Sequence, residues 1–173
     1  MRQLALSDGV KMSGLSDLYA RSMWDFALAW YQGADVEADC FVAQETYGLD
    51  VTALIFALYR ARLGQGFDAG MAVELARTLS ARIIEPLRAT RIALKSVPRL
   101  VDPKASALLR LSVKTAELDA ERLTLNALAA LSFEGAALSY EGGLLAIARA
   151  SQVQVNSELR VLLKRLALAA QNM

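Results

Sequence analysis

The chain of 173 residues has 55% hydrophobic and 21% charged side chains and a formal net charge of +1. This length fits one domain, or one domain with an appendage, and an apolar content above the usual level of about 45–50% excludes a disordered protein. The longest unbroken apolar run, residues 53–59, is far shorter than the roughly 20 residues that a membrane span requires. We therefore predict no membrane span.

Histidine is absent and cysteine occurs once, at Cys40. These two facts exclude Ser-His-Asp and Cys-His nucleophilic sites, two-histidine metal sites and an internal disulfide. The first eight residues contain no signal-peptide pattern. We predict a cytoplasmic protein without a cofactor, in which Cys40 is a buried, inert thiol, and the scarcity of catalytic side chains argues against an enzyme.

Apolar residues recur at helical spacing along nearly the whole chain, and no convincing strand pattern interrupts them. The first predicted helix has a capping-box pattern at residues 22–25 and ends near Gly33, with Ser16 or Asp17 as alternative starts. Three more helices are predicted to begin after an aspartate cap and to end near residues 47, 63 and 81. The caps are Asp35, Asp50 and Asp68.

A fifth helix is predicted from near Pro86 to just before Pro98, because proline is tolerated only in a first turn. Two longer helices, residues 102–133 and about 144–170, are joined by a glycine-containing connection over 134–143. A short connection between long helices favours an antiparallel pair.

These elements predict an all-α fold, a multi-helix bundle with a long C-terminal antiparallel hairpin. The expected organisation is a flexible N-terminus over residues 1–15, a bundle over 16–98 and the hairpin over 102–171, which could also form one single domain with the bundle.

Both long helices carry apolar seams with alternating steps of three and four residues. One seam contains Leu109, Val113, Ala116, Ala120, Leu123, Ala127 and Ala130. The other contains Leu145, Ala148, Gln152, Val155, Leu159, Leu162, Leu166 and Ala169. Such seams fit either a core face within one bundle or a surface for self-association.

Four segments between Met23 and about Lys95 together resemble a known family. They are residues 24–31 (WDFALAWY), residues 36–40 (VEADC), residues 44–51 (QETYGLDV), and Pro86-Leu87-Arg88 with Arg91 and Lys95. The segments resemble a family of small, mostly proteobacterial conserved hypothetical proteins, classed as a domain of unknown function. Family members typically carry a tryptophan in the third helix, where this chain has Phe56 and Tyr59. The resemblance implies an all-helical protein and no particular activity.

The first helix is rich in aromatic residues, including Trp24, Phe26, Trp30 and Tyr31. Its apolar side chains cover more than half of the helix circumference, which indicates burial on several sides. An aromatic ligand groove that includes Trp24 and Trp30 is the alternative.

The fifth helix carries a cationic stripe formed by Arg88, Arg91, Lys95 and, near its end, Arg99, within an arc of about 80°. The stripe is a candidate site for an anionic ligand such as a phosphate. It could also dock on the acidic N-terminal part of the chain, attach to a membrane surface or remain solvated. The near-neutral net charge and the lack of interleaved aromatics argue against nucleic acid.

Two acidic pairs, Asp35 with Asp39 and Glu117 with Glu121, each place two carboxylates on one helical face. When two such pairs face each other across a helical bundle, their carboxylates can bind Mg²⁺ together with a diphosphate. They are the weakest candidates, because Asp35 is also predicted to be a helix cap.

Taken together, these features predict a cytoplasmic interaction or regulatory module that associates with itself or with another protein. The competing prediction is a binder of, or a Mg²⁺-dependent enzyme acting on, an anionic phosphate or diphosphate compound held between helices.

Overall fold

The computed structural model describes residues 22–96, 98, 102–131 and 135–173, and these form α-helices without a strand, which confirms the all-α prediction. The helices are α1 (22–31), α2 (Val36–Tyr47), α3 (Val51–Arg62), α4 (Ala69–Leu79), α5 (Glu85–Ala93), α6 (Pro103–Ala129), α7 (Tyr140–Ala150) and α8 (Ser157–Gln171). None of these helices is long and apolar enough to cross a membrane. The predicted N-terminal segment 1–15, the alternative starts Ser16 and Asp17, and Arg99 lie outside the described residues.

Helix α3 lies at the centre of the fold, with every side chain from Thr52 to Tyr59 buried. It packs against α2, α4, α6, α7 and α8. The Asp50 carboxylate caps the helix as predicted, because it accepts hydrogen bonds from the backbone N–H groups of Thr52 and Ala53. Gly48 ends α2 with a φ of 65°, a left-handed conformation that favours glycine.

Helix α1 is buried on one side, not on several as the sequence predicts. Met23, Phe26 and Trp30 lie in the core, where the Trp30 indole N–H donates to the carbonyl of Leu166 at 3.2 Å. Ser22 is already helical, so it is not the residue that precedes the helix. Its predicted capping role is therefore not realised.

Helices α4 and α5 form one continuous helix, joined by a π-helical turn over Ser80–Ile84. The prediction that Pro86 starts a separate helix is therefore wrong. Proline lacks a backbone N–H, and its ring clashes with the carbonyl four residues earlier in a regular α-helix. The wider turn just before Pro86, in which the Glu85 N–H donates to the Ser80 carbonyl, accommodates this conflict.

The predicted long C-terminal hairpin is also wrong, because residues 151–156 separate α7 from α8. Gln152 has a left-handed φ of 60°, and Asn156 caps α8 by accepting from the Leu159 N–H. Helix α6 packs on α3, α4, α5 and the π-helical turn, whereas α7 packs on α3, α4 and α8. The seam predicted over residues 145–169 is therefore interrupted by the break at Gln152.

The loop after α3 meets the connection that precedes α7 at Gly66. A Cβ on Gly66 would lie 2.5 Å from the Gly135 carbonyl oxygen, whereas one on Gly143 would make only ordinary contacts. We expect Gly66→Ala to lower the free energy of unfolding by about 3 kcal/mol, because two backbone segments must separate. Urea unfolding measures this change.

Gly143→Ala is the matched control for that variant. Gly143 lies inside α7, so its replacement should be neutral or stabilising, by up to about 1 kcal/mol. Equal stabilities of the two variants would contradict the close approach at Gly66.

Candidate functional site

A cleft of about 1090 Å³ opens between α1, the α2–α3 corner, α3, the π-helical turn, α5 and α6. Its floor consists of buried apolar side chains, namely Ala27, Leu49, Ile55, Ile84 and Leu125. The volume slightly exceeds the range that is typical of small-molecule sites, roughly 300–1,000 Å³. The cleft is therefore large enough for a sizeable apolar ligand or part of a protein segment.

Besides Tyr31, three large hydrophobic side chains around the cleft remain exposed. Leu28 of α1, Ile92 of α5 and Leu118 of α6 are 50%, 53% and 45% exposed. Single exposed hydrophobic side chains are common on protein surfaces, whereas these three border the same concavity.

The spacing along α1 explains why its aromatic residues divide between core and cleft. Trp24, Leu28 and Tyr31 follow one another in steps of four and three and line the cleft, as expected for one helical face. The Arg122 guanidinium lies 5.7 Å from the Trp24 ring centroid. Trp30 points into the core and does not line the cleft, so of the two candidate tryptophans only Trp24 faces a ligand space.

The π-helical turn contributes Ser80, Ala81 and Ile84 to the cleft wall. Turns of this type occur frequently at functional sites, where the extra residue changes the direction of neighbouring side chains. The unusual backbone of this helix therefore forms part of the cleft wall.

The cationic stripe and one acidic pair meet beside the cleft. The Arg88 Nε donates to Glu117 Oε1 at 2.8 Å, and its Nη2 lies 3.4 Å from Glu121 Oε1. Arg91 also donates to the Glu117 carboxylate. Glu117 is buried between the two guanidinium groups, so these charges compensate one another. Lys95 is exposed, outside this cluster.

The pKa values of the two glutamates of this cluster shift in opposite directions. Burial alone raises the pKa of Glu117, but the hydrogen bonds and charges of Arg91 and Arg88 outweigh it and hold the pKa below its ordinary value. Burial raises the pKa of Glu121, an effect that Arg88 opposes and that the charges of Glu117 and Asp50 reinforce. Glu121 is thus the less strongly compensated carboxylate, and it faces the cleft.

Tyr31 lines the cleft near Cys40 and is 38% exposed. Burial, with contributions from Cys40, Glu121 and Glu37, raises the pKa of the Tyr31 phenol. Burial also raises the pKa of the Cys40 thiol to about 12. Both groups are therefore neutral at pH 7, and neither carries the low pKa of an activated nucleophile.

The other predicted acidic pair does not face the cleft. The Asp39 carboxylate accepts two hydrogen bonds from the Arg165 guanidinium of α8, and this joins α2 to α8. Asp35 precedes α2 with a φ of 64°, and its side chain makes no capping hydrogen bond, so its predicted capping role is not realised. Across the described ranges, no three aspartate, glutamate or cysteine side chains are grouped so that they could hold a metal ion.

Sequence reasoning missed most of the cleft's charged residues. They are Glu37, Glu45, Asp50, Glu85 and Arg77, which belong to α2, the start of α3, α5 and α4. No spacing rule connects residues so far apart in the chain. The available signal was on α1, where Trp24, Leu28 and Tyr31 occupy one face opposite the core residues.

We expect Glu117→Gln to lower the free energy of unfolding at pH 7 by about 2 kcal/mol, because two guanidinium groups lose a charged acceptor. The stabilisation by Glu117 is complete above the unfolded-state glutamate pKa of about 4.3 and is lost as the pH falls through the lower folded-state pKa. Urea unfolding at a series of pH values should therefore show the parent and the variant converging in acid.

Glu121→Gln is the matched control, one helical turn away. Because the folded-state pKa of Glu121 is raised, a neutral amide should change the stability at pH 7 by less than about 1 kcal/mol, or increase it. A loss as large as that of Glu117→Gln would contradict the different roles of the two carboxylates.

Comparison with known proteins places the chain among uncharacterised proteins. No curated protein and no solved structure matches it. The family model described as "Protein of unknown function (DUF2390)" matches residues 22–128, which include α1 through nearly all of α6 and every wall of the cleft. Because this match covers well over half of the sequence, the chain belongs to the DUF2390 family of proteins of unknown function.

Proposed function

We propose that this protein is a non-enzymatic, cytoplasmic interaction module whose cleft receives the apolar side of a helical segment from a protein partner. The observation that carries the proposal is the convergence of Leu28, Ile92 and Leu118 around an apolar floor. Burying exposed apolar surface provides most of the driving force for such an association.

The shape of the cleft favours a helix as the occupant. Its walls come mainly from helices, and an additional α-helix, about 10–12 Å in diameter, is the element that usually packs into such a groove. A partner helix with apolar residues at positions i, i+4 and i+7 would place them on the floor between α1, α3 and α6.

The charges beside the cleft support this proposal over the anionic-ligand alternative. Arg88 and Arg91, the first two residues of the cationic stripe, are hydrogen-bonded to Glu117. An anion would have to compete with a buried carboxylate for these guanidinium groups, at a high cost in free energy. The cleft's own polar residues therefore give an anion little net attraction.

We expect Leu118→Gln to weaken the binding of an electrically neutral, amphipathic helical peptide by roughly tenfold, because a polar group replaces an apolar contact in the cleft. Trp24 lines the cleft and Trp30 is buried in the core, so a fluorescence titration reports occupancy mainly through Trp24. Trp24→Phe should remove the signal.

Leu108→Gln is the matched control, because Leu108 is exposed on the same helix but does not line the cleft. This variant should bind the peptide like the parent. Equal weakening by both leucine variants, or by neither, would refute the assignment of the cleft as the binding surface.

Self-association is a second candidate function, favoured by the outer face of α6. Leu109 and Leu123 belong to the predicted seam, lie two heptads apart with Ala116 between them, and are about half exposed. Heptad spacing of this kind fits the same helix of a second copy.

We expect the parent to show the mass of a dimer in light scattering, and the double variant Leu109→Gln/Leu123→Gln to show that of a monomer. Leu118→Gln, on a different face of α6, should leave the mass unchanged. A monomeric parent would end this proposal without affecting the proposed role of the cleft.

A further inference from the structure

We infer that the partner segment is a basic amphipathic helix, whose lysine or arginine side chains lie against the acidic rim of the cleft. The inference rests on the proposed function and specifies the chemistry of the partner. It follows from the balance of charges around the apolar floor.

Acidic side chains outnumber basic ones among the residues that line the cleft. The acidic residues are Glu37, Glu45, Asp50, Glu85 and Glu121, and the basic residues are Arg77 and Arg88. Both arginines have partners in the fold: Arg77 donates to the Ser151 carbonyl at 2.8 Å, and Arg88 donates to Glu117 and Glu121. The cleft therefore presents a net negative charge to an incoming ligand.

Several of these carboxylates keep their capacity to accept hydrogen bonds. Among the described residues, Glu37, Glu45 and Glu85 are exposed and form no ion pair or side-chain hydrogen bond. They come from α2 and α5, two elements that both border the cleft. A bound helix would thus meet carboxylates contributed by more than one wall.

Acidic side chains also lie close to one another within the cleft. Glu121 lies close enough to Asp50 and to Tyr31 for their electrostatic interactions to affect its protonation and that of the phenol. The Asp50 carboxylate caps the start of α3. The Glu121 carboxylate has one long ion pair with Arg88. A lysine or arginine that approaches Glu121 would gain a charge-assisted hydrogen bond.

Basic residues suit such a site for a second reason. Their long aliphatic stems cover apolar surface while the charged group reaches the polar rim. A helix with leucines on one face and lysines beside them could therefore contact the floor and the rim together. A neutral helix would fill the floor only, and an acidic helix would be repelled.

The test uses three synthetic helical peptides with the same apolar face and with lysine, glutamine or glutamate at the flanking positions. Each is titrated into the full chain and followed by Trp24 fluorescence at low and at high salt. We expect the lysine peptide to bind roughly tenfold more tightly than the glutamine peptide, with the glutamate peptide weakest. The difference should shrink in high salt, because these charges are exposed.

The double variant Glu45→Gln/Glu85→Gln should lose most of the preference for the lysine peptide and keep its affinity for the glutamine peptide. Both residues are exposed, so the variant should fold like the parent. Glu74→Gln is the matched control, since Glu74 is exposed on α4 but does not line the cleft. This variant should retain the full preference.

The outcomes separate the inference from the proposed function. Equal binding of all three peptides, or a preference for the glutamate peptide, would overturn the basic partner and leave the cleft as an apolar binding site. Binding of none would overturn the proposed function itself. Displacement of a second copy from the cleft, seen as a fall in mass when peptide is added, would show that the natural occupant is this same chain and would overturn the inference.

Discussion

The burial of α3 along its whole middle section determines how the other helices are arranged. Eight consecutive buried side chains leave no face of this helix for water, so neighbours must surround it. Helices α2, α4, α6, α7 and α8 pack against it and shield its apolar surface from solvent. A long C-terminal hairpin could not provide this shielding from as many directions, and the break between α7 and α8 lets each of them contact α3.

The cleft lies where this arrangement is less complete. Thr52 and Ile55 of α3 contribute to its lining, and the exposed leucines of α1 and α6 stand around them. The buried carboxylate of Glu117 fastens α5 to α6 through Arg88 and Arg91, so the distance between two of the walls is held by charge-assisted hydrogen bonds. The fold therefore holds the cleft open, so ligand binding carries no free-energy cost for creating it.

Local signals allowed most of the fold to be predicted. The aspartate caps at Asp50 and Asp68 and the end of α2 near residue 47 are short-range patterns, and the structure confirms them. The errors arose where a local rule competes with a tertiary constraint. A proline such as Pro86 usually lies in the first turn of a helix, but here the helix continues through the π-helical turn that precedes it.

The break before α8 has a local signal of its own, because Asn156 caps the helix and Glu158 lies in its first turn. The apolar spacing of residues 145–169 runs across this signal and predicts one continuous helix.

The candidate site was less predictable for a physical reason. A helical wheel can show that Arg88 and Arg91 share a face, but it cannot show that Glu117 of another helix occupies that face. The ion pairs of Arg88 and Arg91 with Glu117 therefore turn the predicted anion site into a contact between α5 and α6. The same pairing leaves Glu37, Glu45 and Glu85 as charged groups at the cleft, although the sequence offered no reason to treat them as a site.

The π-helical turn also has a consequence for how chains of this kind can differ in length. A turn of this type takes up one residue more than an α-helical turn, so α5 keeps the rotational phase of an α-helix that is one residue shorter. Regular α-helical winding of the same residues would rotate α5 by about 100° and turn its arginines away from α6. Loss of one residue from this turn would keep the α5 arginines facing α6, but it would bring the Pro86 ring against the carbonyl four residues earlier, so a chain shortened here requires a different residue in place of the proline.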